Sequence, residues 1–131
     1  MPTLQIIYQD DSLLILNKPA GLLAVPGRGV DKQDCLATRV QAEFSDALVV
    51  HRLDMATSGL MLFARGAEIQ SLLSAMFRKR EIAKCYVAIV AGKLENEAGE
   101  IDFPLSADWP NRPKQRVNLA AGKPSLSQLV R

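Results

Sequence analysis

Cysteine, histidine and aromatic residues are scarce in this sequence. It has two cysteines, Cys35 and Cys85, one histidine, and 5% aromatic residues. The two cysteines lie far apart and match no metal-ligand spacing, and a single histidine argues against a zinc site. We therefore expect free thiols, no disulfide framework and no bound metal, as in a cytoplasmic protein.

Long apolar runs and a secretory signal peptide are also missing, so we expect no membrane association. The 131 residues suffice for one domain or part of one, and the hydrophobic fraction of 48% is ordinary for a globular core. The net charge of +2 is too small to indicate nucleic-acid binding by itself.

The charge distribution says more than the total. Residues 1–50 carry four Lys or Arg against six Asp or Glu, whereas residues 51–131 carry twelve against eight. Basic clusters of this kind are candidate phosphate contacts, although the clusters alone favour a solvated helix end and a solvated loop. The clustered residues are Arg78, Lys79, Arg80 and Lys84, and further along Arg112, Lys114 and Arg116.

The first half of the chain predicts a hairpin, a loop and two helices. Residues 4–8 and 13–16 are short apolar strands, and residues 17–30 form a Pro- and Gly-containing loop. Asp34 is a candidate cap for a helix that ends near Phe44. The second helix is predicted over residues 67–78, because its apolar residues recur at helical spacing. These are Ile69, Leu72, Leu73, Met76 and Phe77.

The second half predicts short strands. Residues 83–91 are apolar at nearly every position, which indicates a strand buried on both faces and containing Tyr86. Residues 101–105 form a strand interrupted by Pro104, and residues 116–119 and 125–130 are the last strands. Trp109 lies in a loop, where it either pins the loop to the core or faces RNA. Strands with isolated helices and no regular βαβ alternation favour an α+β fold.

The most informative stretch is a polar turn, HRLDMATSGL, at residues 51–60 between two apolar runs. In extended chain, Arg52 and Asp54 would share one face, and a carboxylate beside a fixed positive charge stays ionised. Gly59 suits the tight return into the next strand. The ordinary alternative is a turn in which Asp54 accepts from the amide of Ala56 or Thr57, or a surface ion pair worth little.

This stretch resembles the HRLDxxTSGL signature of the pseudouridine synthases that include the ribosomal large subunit enzymes. Residues 17–22, NKPAGL, resemble the family's NKPxGL segment, and residues 84–88, KCYVA, resemble its KxYxA segment. Residues 108–116, DWPNRPKQR, resemble a stretch of the dual-specificity branch, which acts on rRNA and tRNA. The segments occur in the family's order and span nearly the whole chain.

The resemblance implies a pseudouridine synthase fold, a mixed and mostly antiparallel sheet with flanking helices and a cleft. It implies that Asp54 is the catalytic carboxylate, that Arg52 extrudes the target base and pairs with Asp54, and that Tyr86 stacks on the uracil. It also brings the loop that begins near Lys18 close to the cleft, which makes Lys18 a further possible RNA contact, together with the basic clusters and Trp109. Cofactors are not needed, because the isomerisation has no redox step. We expect His51 to pack through a hydrogen bond.

One departure from the family is large. Family members continue with a TGRxHQLRxH-like segment, which this sequence does not contain. We expect residues 1–131 to be a partial, C-terminally truncated catalytic domain with no separate second domain. An exposed sheet edge would then lower stability or promote self-association. Two alternatives stay open: a catalytically impaired remnant that at most binds RNA, and, more remotely, an unrelated hydrolase that uses Asp54.

Overall fold

A computed structural model describes residues 3–131 and has the α+β composition expected of the sequence. Its contacts divide the chain into two compact units, Met1–Cys85 and Tyr86–Arg131. The first unit contains strands β1 (Ile6–Gln9), β2 (Leu13–Lys18), β3 (Ala47–Val49) and β4 (Gly59–Arg65), and helices α1 (Leu36–Glu43) and α2 (Ala67–Arg78). The second contains β5 (Ala98–Asp102), β6 (Leu105–Ala107), β7 (Gln115–Val117) and β8 (Leu126–Val130).

The first unit is built on a four-stranded antiparallel sheet in the order β1-β2-β4-β3. The predicted hairpin is confirmed, although β1 begins at Ile6 rather than at residue 4 and β2 continues to Lys18. Its turn is closed by Asp10, whose Oδ1 accepts from the amides of Ser12 at 2.7 Å and Leu13 at 2.8 Å. Asp favours turns because its short side chain can accept in this way.

The core of the first unit follows from alternation along the strands and helical spacing in α1. Leu14 and Leu16 are buried on one face of β2, and Met61 and Phe63 are buried on β4. Val40 of α1 belongs to the same cluster. Each such side chain contributes about 1.5–3 kcal/mol on burial, so this cluster accounts for most of the apolar stabilisation of the unit.

The beginning of α1 corrects one prediction. The helix is capped by Cys35, whose Sγ accepts from the Thr38 amide at 3.4 Å, rather than by Asp34. Asp34 instead forms a two-pronged ion pair with Arg39, with both N–O distances at 2.8 Å. The thiol of Cys35 is fully buried, so it satisfies the helix amide inside the core, where an ionised carboxylate would be costly.

Helix α2 has the predicted bounds, but its apolar stripe is only partly covered. Leu73 is buried, Ile69 is half-buried, and Leu72, which was expected to pack, is 58% exposed. Gln70 donates to the Val49 carbonyl oxygen at 2.9 Å and so ties the helix to β3. Leu72 therefore faces outward rather than into the core.

The predicted buried strand at residues 83–91 is wrong. No strand is assigned there, and residues 83–90 are exposed, with Val87 at 98%. A strand needs a neighbour that exchanges backbone hydrogen bonds with it. Within residues 3–131, no strand pairs with this segment. Apolar composition indicated a strand, but composition cannot supply the partner.

The second unit has two small antiparallel ladders, β5 with β8 and β6 with β7. Pro104 falls in the gap between β5 and β6, as the predicted interruption requires. The final strands lie close to the predicted positions, and a short 3₁₀ helix, Trp109–Asn111, precedes β7. Every buried residue of residues 3–131 lies in the first unit, so the second has little core of its own.

Candidate active site

The turn at residues 50–58 joins two neighbouring antiparallel strands, β3 and β4. Gly59 begins β4 with φ of 135°, a conformation that side chains rarely adopt. The turn is closed by the Thr57 amide, which donates to the Asp54 carbonyl oxygen at 3.1 Å. The backbone of Asp54, not its carboxylate, therefore shapes the turn. The Asp54 side chain accepts no hydrogen bond from the described residues.

Side chains along the turn alternate in exposure. Leu53 is 6% exposed and anchors the turn, whereas Arg52 and Asp54 on either side of it are exposed. The expected contact between Arg52 and Asp54 is not formed: the ion pairs recorded for residues 3–131 are Asp34–Arg39 and Asp46–Arg65. Both charged groups face solvent, where a long Arg side chain loses much entropy when it is held in an ion pair.

Lys18 lies under the turn and is not an RNA contact, which corrects the sequence expectation. It is fully buried, and its Nζ donates to three carbonyl oxygens, those of Pro19 at 2.9 Å, Leu22 at 2.6 Å and Met55 at 3.2 Å. Burial lowers the pKa of Lys18, and the negative charge of Asp54 opposes that shift.

His51 packs as expected. Its Nε2 accepts from the Leu62 amide at 2.9 Å, so the ring proton resides on Nδ1. The ring stacks on Phe77 with centroids 4.5 Å apart. Burial and the nearby charge of Lys84 lower the pKa of His51. This histidine joins β4 to α2.

The basic cluster at the end of α2 is exposed. Arg80 adopts φ of 59°, and two amides close the helix end: Arg80 donates to Phe77 and Glu81 donates to Met76, at 3.1 and 2.9 Å. This is the pattern in which a left-handed residue terminates a helix. Arg78 and Lys79 lie in the last turn, where positive charge complements the helix dipole. Their placement has a structural reason that is independent of RNA.

The aromatic candidates of the second unit are both exposed. Tyr86 is 60% exposed and belongs to no strand, so it is not the core aromatic that its apolar neighbours suggested. Trp109 is 67% exposed, and the Arg112 guanidinium lies 4.0 Å from its ring centroid. Trp109 therefore does not pin its loop to a core. Lys114 and Arg116 are exposed nearby in sequence.

A cavity of about 260 Å³ in the first unit is lined by residues 3–5, by β2 and α1, and by the loop between these two elements, including Asn17, Pro19 and Leu22. Asp54 is not among its lining residues. Across residues 3–131, no cluster of His, Cys, Asp and Glu side chains has the geometry to hold a metal ion. Neither helix of that range combines the length and apolar character needed to cross a membrane.

Residues 12–131 match the model of the RNA pseudouridylate synthase family. The chain belongs to this family. It is 50% identical over 124 residues to a dual-specificity RNA pseudouridine synthase RluA of Vibrio parahaemolyticus, covering 95% of this chain and 50% of that protein. It is 47% identical over 127 residues to the RluA of Escherichia coli K12, covering 97% of this chain and 58% of that protein.

Solved structures show the same fold. Human RNA pseudouridylate synthase domain containing 1 superposes with a TM-score of 0.77 at 22% identity, covering 98% of this chain and 51% of that one. Human RNA pseudouridylate synthase domain containing 4 superposes with a TM-score of 0.70 at 25% identity, covering 95% of this chain and 52% of that one. The predicted α+β pseudouridine synthase fold is therefore confirmed. The chain spans about half the length of the relatives it matches.

The family signature lies in the turn that carries Asp54. What sequence reasoning missed is the role of Lys18. A signal was present: Leu14, Leu16 and Lys18 occupy alternate positions of β2, and all three are fully buried. In a strand, alternate residues share a face, so the lysine follows two leucines into the core.

Proposed function

We propose that this chain carries the part of an RNA pseudouridine synthase active site that contains the signature turn, with Asp54 as the catalytic carboxylate. The observation that supports this most is the family match over residues 12–131, together with the exposure of Asp54 in the signature turn. An exposed carboxylate that accepts no hydrogen bond from the described residues is available to a substrate.

The isomerisation of uridine to pseudouridine requires one ionised carboxylate. The N1–C1′ bond of a uridine breaks, the base turns, and C5 bonds to C1′. The C5 proton leaves to solvent, and N1 takes up a proton from solvent. A carboxylate serves either as a nucleophile toward the sugar or base, or as a base at C2′. A glycosidase would need a second carboxyl group near Asp54, and the signature turn contains none. Isomerisation is therefore favoured over hydrolysis.

The substrate would be a uridine in structured RNA, in 23S rRNA, in a tRNA anticodon stem-loop, or in both. The relatives named above are described as dual-specificity RNA synthases, which supports both targets. A base in a stem must leave the stack before a side chain can reach its glycosidic bond. We assign extrusion to Arg52 and stacking to Tyr86, because both side chains are exposed and match the family segments.

The test is release of tritium from uridine labelled at C5 in tRNA and rRNA transcripts. Asp54→Asn keeps the size of the side chain and removes its charge, so we expect the rate to fall by about 10²–10⁴-fold, the range typical of a lost acid–base group. Asp11→Asn is the matched control, because Asp11 is an exposed acid in the β1–β2 turn. Equal background release from wild type and Asp54→Asn would contradict the proposed activity.

A second candidate function is RNA binding without turnover. It is favoured by the half-length match and by the exposed pairing of Trp109 with Arg112. Stacked bases and basic side chains are a common way to hold unpaired RNA. Filter binding separates the two functions: an inactive protein that retains RNA affinity, and loses it in Trp109→Ala, is a binder. Further contacts would come from Arg78, Lys79, Arg80, Lys84, Lys114 and Arg116.

We also propose that the chain self-associates through its exposed apolar segment, residues 86–90. The segment has strand-like composition, pairs with no strand within residues 3–131, and exposes Val87 and Ile89 almost fully. Such a segment readily pairs with another chain. The edge strand β1 is exposed at all four positions and offers a second edge.

A further inference from the structure

Strand β3 forms one edge of the four-stranded sheet, with β4 on its inner side. The Gly66 amide donates to the Asp46 carbonyl oxygen at 2.9 Å, so these two residues form a hydrogen-bonded pair at the end of the β3–β4 ladder. Antiparallel pairs alternate between hydrogen-bonded and non-hydrogen-bonded, so Ala47 and Val49 belong to the second kind. Their backbone amides and carbonyl oxygens therefore point away from β4, along the outer side of the edge.

Two glutamine side chains cover this outer side. Gln41 of α1 donates from Nε2 to the Ala47 carbonyl oxygen at 3.0 Å, and Gln70 of α2 donates to the Val49 carbonyl oxygen at 2.9 Å. The Ala47 amide also has a partner within the first unit, the Phe44 carbonyl oxygen at 2.9 Å. A strand that adds to a sheet edge needs backbone groups of this kind for its ladder. Three of them are already bonded here.

The opposite edge of the sheet is limited in a different way. The pairing of β1 with β2 changes register between Ile6 and Tyr8, which is a β-bulge or a related irregularity. A bulge interrupts the regular row of outward groups, so β1 offers an incoming strand only a short regular edge. The pairing of β3 with β4 is regular from Ala47 to Val49. The β3 edge therefore depends on its two glutamine bonds for protection.

We propose that the outer side of β3 is a strand-addition surface for a second copy of this chain, and that Gln41 and Gln70 keep it closed. A second copy brings a strand of suitable composition, because residues 86–90 carry no charge and expose Val87 and Ile89 almost fully. The choice of that incoming strand rests on the self-association proposed above. The closure of the edge rests on the hydrogen bonds of the two glutamines alone.

The closed edge has a consequence for the kind of assembly that can form. Pairing of residues 86–90 with β3 of another copy is heterologous, and contacts of that kind grow into open assemblies when they do not close into a ring. Pairing of residues 86–90 with the same segment of another copy is isologous and stops at a dimer. The two glutamines therefore restrict association to the closed dimer.

The test replaces Gln41 and Gln70 together by methionine, which has a similar length and cannot donate. Gln9→Met with Gln115→Met is the matched control, because both are exposed strand residues and the control adds the same two side chains. We expect the mass measured by light scattering to rise continuously with concentration in Gln41→Met/Gln70→Met. Its association should begin at a concentration at least tenfold lower than in wild type and control. An onset within twofold of the control would overturn the proposal.

Two further substitutions test which strand is incoming. Val87→Lys with Ile89→Lys places charge on the exposed segment, and lysine on a strand hinders its pairing with another edge. In the background of Gln41→Met/Gln70→Met, we expect a monomer at every concentration. Open growth that persists would overturn the choice of residues 86–90. A monomeric wild type beside a growing glutamine variant would contradict the self-association proposed above and would support the closed edge.

A measurement on wild type covers the case in which the variants do not fold. Exchange of side-chain amide protons, followed by NMR, reports whether each glutamine is hydrogen-bonded. We expect the Nε2 protons of Gln41 and Gln70 to exchange at least threefold more slowly than those of the control positions, Gln9 and Gln115. Equal rates at the four side chains would overturn the proposal, because the bonds that close the β3 edge would then be absent in solution.

Discussion

At the scale of single residues, two ionisable side chains are held by backbone groups rather than by opposite charges. Lys18 donates to carbonyl oxygens, and His51 accepts from the Leu62 amide. Burial lowers the pKa of both side chains, since it disfavours the charged form. For His51 the consequence falls in an accessible pH range.

His51 should make the folded state less stable in mild acid. Its pKa is lowered on folding from the usual 6.5, so the unfolded chain binds the proton more readily. The stabilisation is complete above pH 6.5 and is lost as the pH falls toward the lowered pKa of the folded state. Protonation of Nε2 also removes the acceptor of the Leu62 amide. Urea unfolding between pH 7.5 and 5 measures this loss.

The comparison variant is His51→Phe, which keeps an aromatic ring beside Phe77 and leaves the Leu62 amide without its acceptor. We expect its free energy of unfolding to lie about 1–3 kcal/mol below wild type at pH 7.5. The gap should narrow as the pH falls below 6.5. Because His51 is the single histidine of the chain, other titrations largely cancel in the difference. If the difference in free energy of unfolding between wild type and His51→Phe stays constant with pH, the lowered pKa of His51 in the folded state is contradicted.

At the scale of elements, the residues at a helix end determine where the helix stops. Helix α2 has the predicted bounds, and it ends where Arg80 turns into the left-handed region. A side chain in that region is strained by about 1–2 kcal/mol relative to ordinary helical backbone, whereas glycine is not. The neighbouring Lys79 keeps helical angles, with φ of −81°.

Replacing Arg80 with glycine should therefore be far milder than replacing Lys79. Each change removes one positive charge from the helix end, so the loss of charge is matched. Arg80→Gly relieves strain, and Lys79→Gly adds backbone freedom to a helical position. We expect Arg80→Gly to be more stable than Lys79→Gly by about 1–2 kcal/mol in chemical denaturation. Equal stability of the two variants would show that the left-handed helix end is not formed in solution.

At the scale of the whole molecule, the apolar core is confined to the first unit. The buried residues of the described chain run from Leu14 to Leu73, while residues 86–131 are held by strand pairing with little burial. Strand ladders without a packed face are marginal in water. The two units should therefore differ in their opening free energies.

Hydrogen exchange followed by mass spectrometry at low protein concentration should show this difference. We expect peptides from β2 and β4 to exchange at least tenfold more slowly than peptides from β5 to β8. Residues 86–90 should gain protection as concentration rises, in step with a larger sedimentation coefficient, because self-association would cover them. A compact monomer at all concentrations, with no gain in protection, would contradict the proposed self-association.

Several features could be predicted because they depend on local pattern. The β1–β2 hairpin follows from two apolar runs around an Asp turn, and α2 follows from helical spacing. The turn that carries Asp54 follows from a polar segment between apolar strands. The α+β class and the family rest on these elements and on the signature. The roles of Asp54, Arg52 and Tyr86 stay predictions.

Other features depend on which residues meet in space, and the sequence alone did not determine them. Composition indicated a strand at residues 83–91, but a strand exists only where a neighbour accepts its hydrogen bonds, and the described chain places none there. Cys35 rather than Asp34 caps α1, because the cap lies inside the core. Lys18 looked like an RNA contact, yet its buried ammonium joins three carbonyl oxygens from segments distant in sequence. Pairing and burial are non-local, so tertiary structure alone decided them.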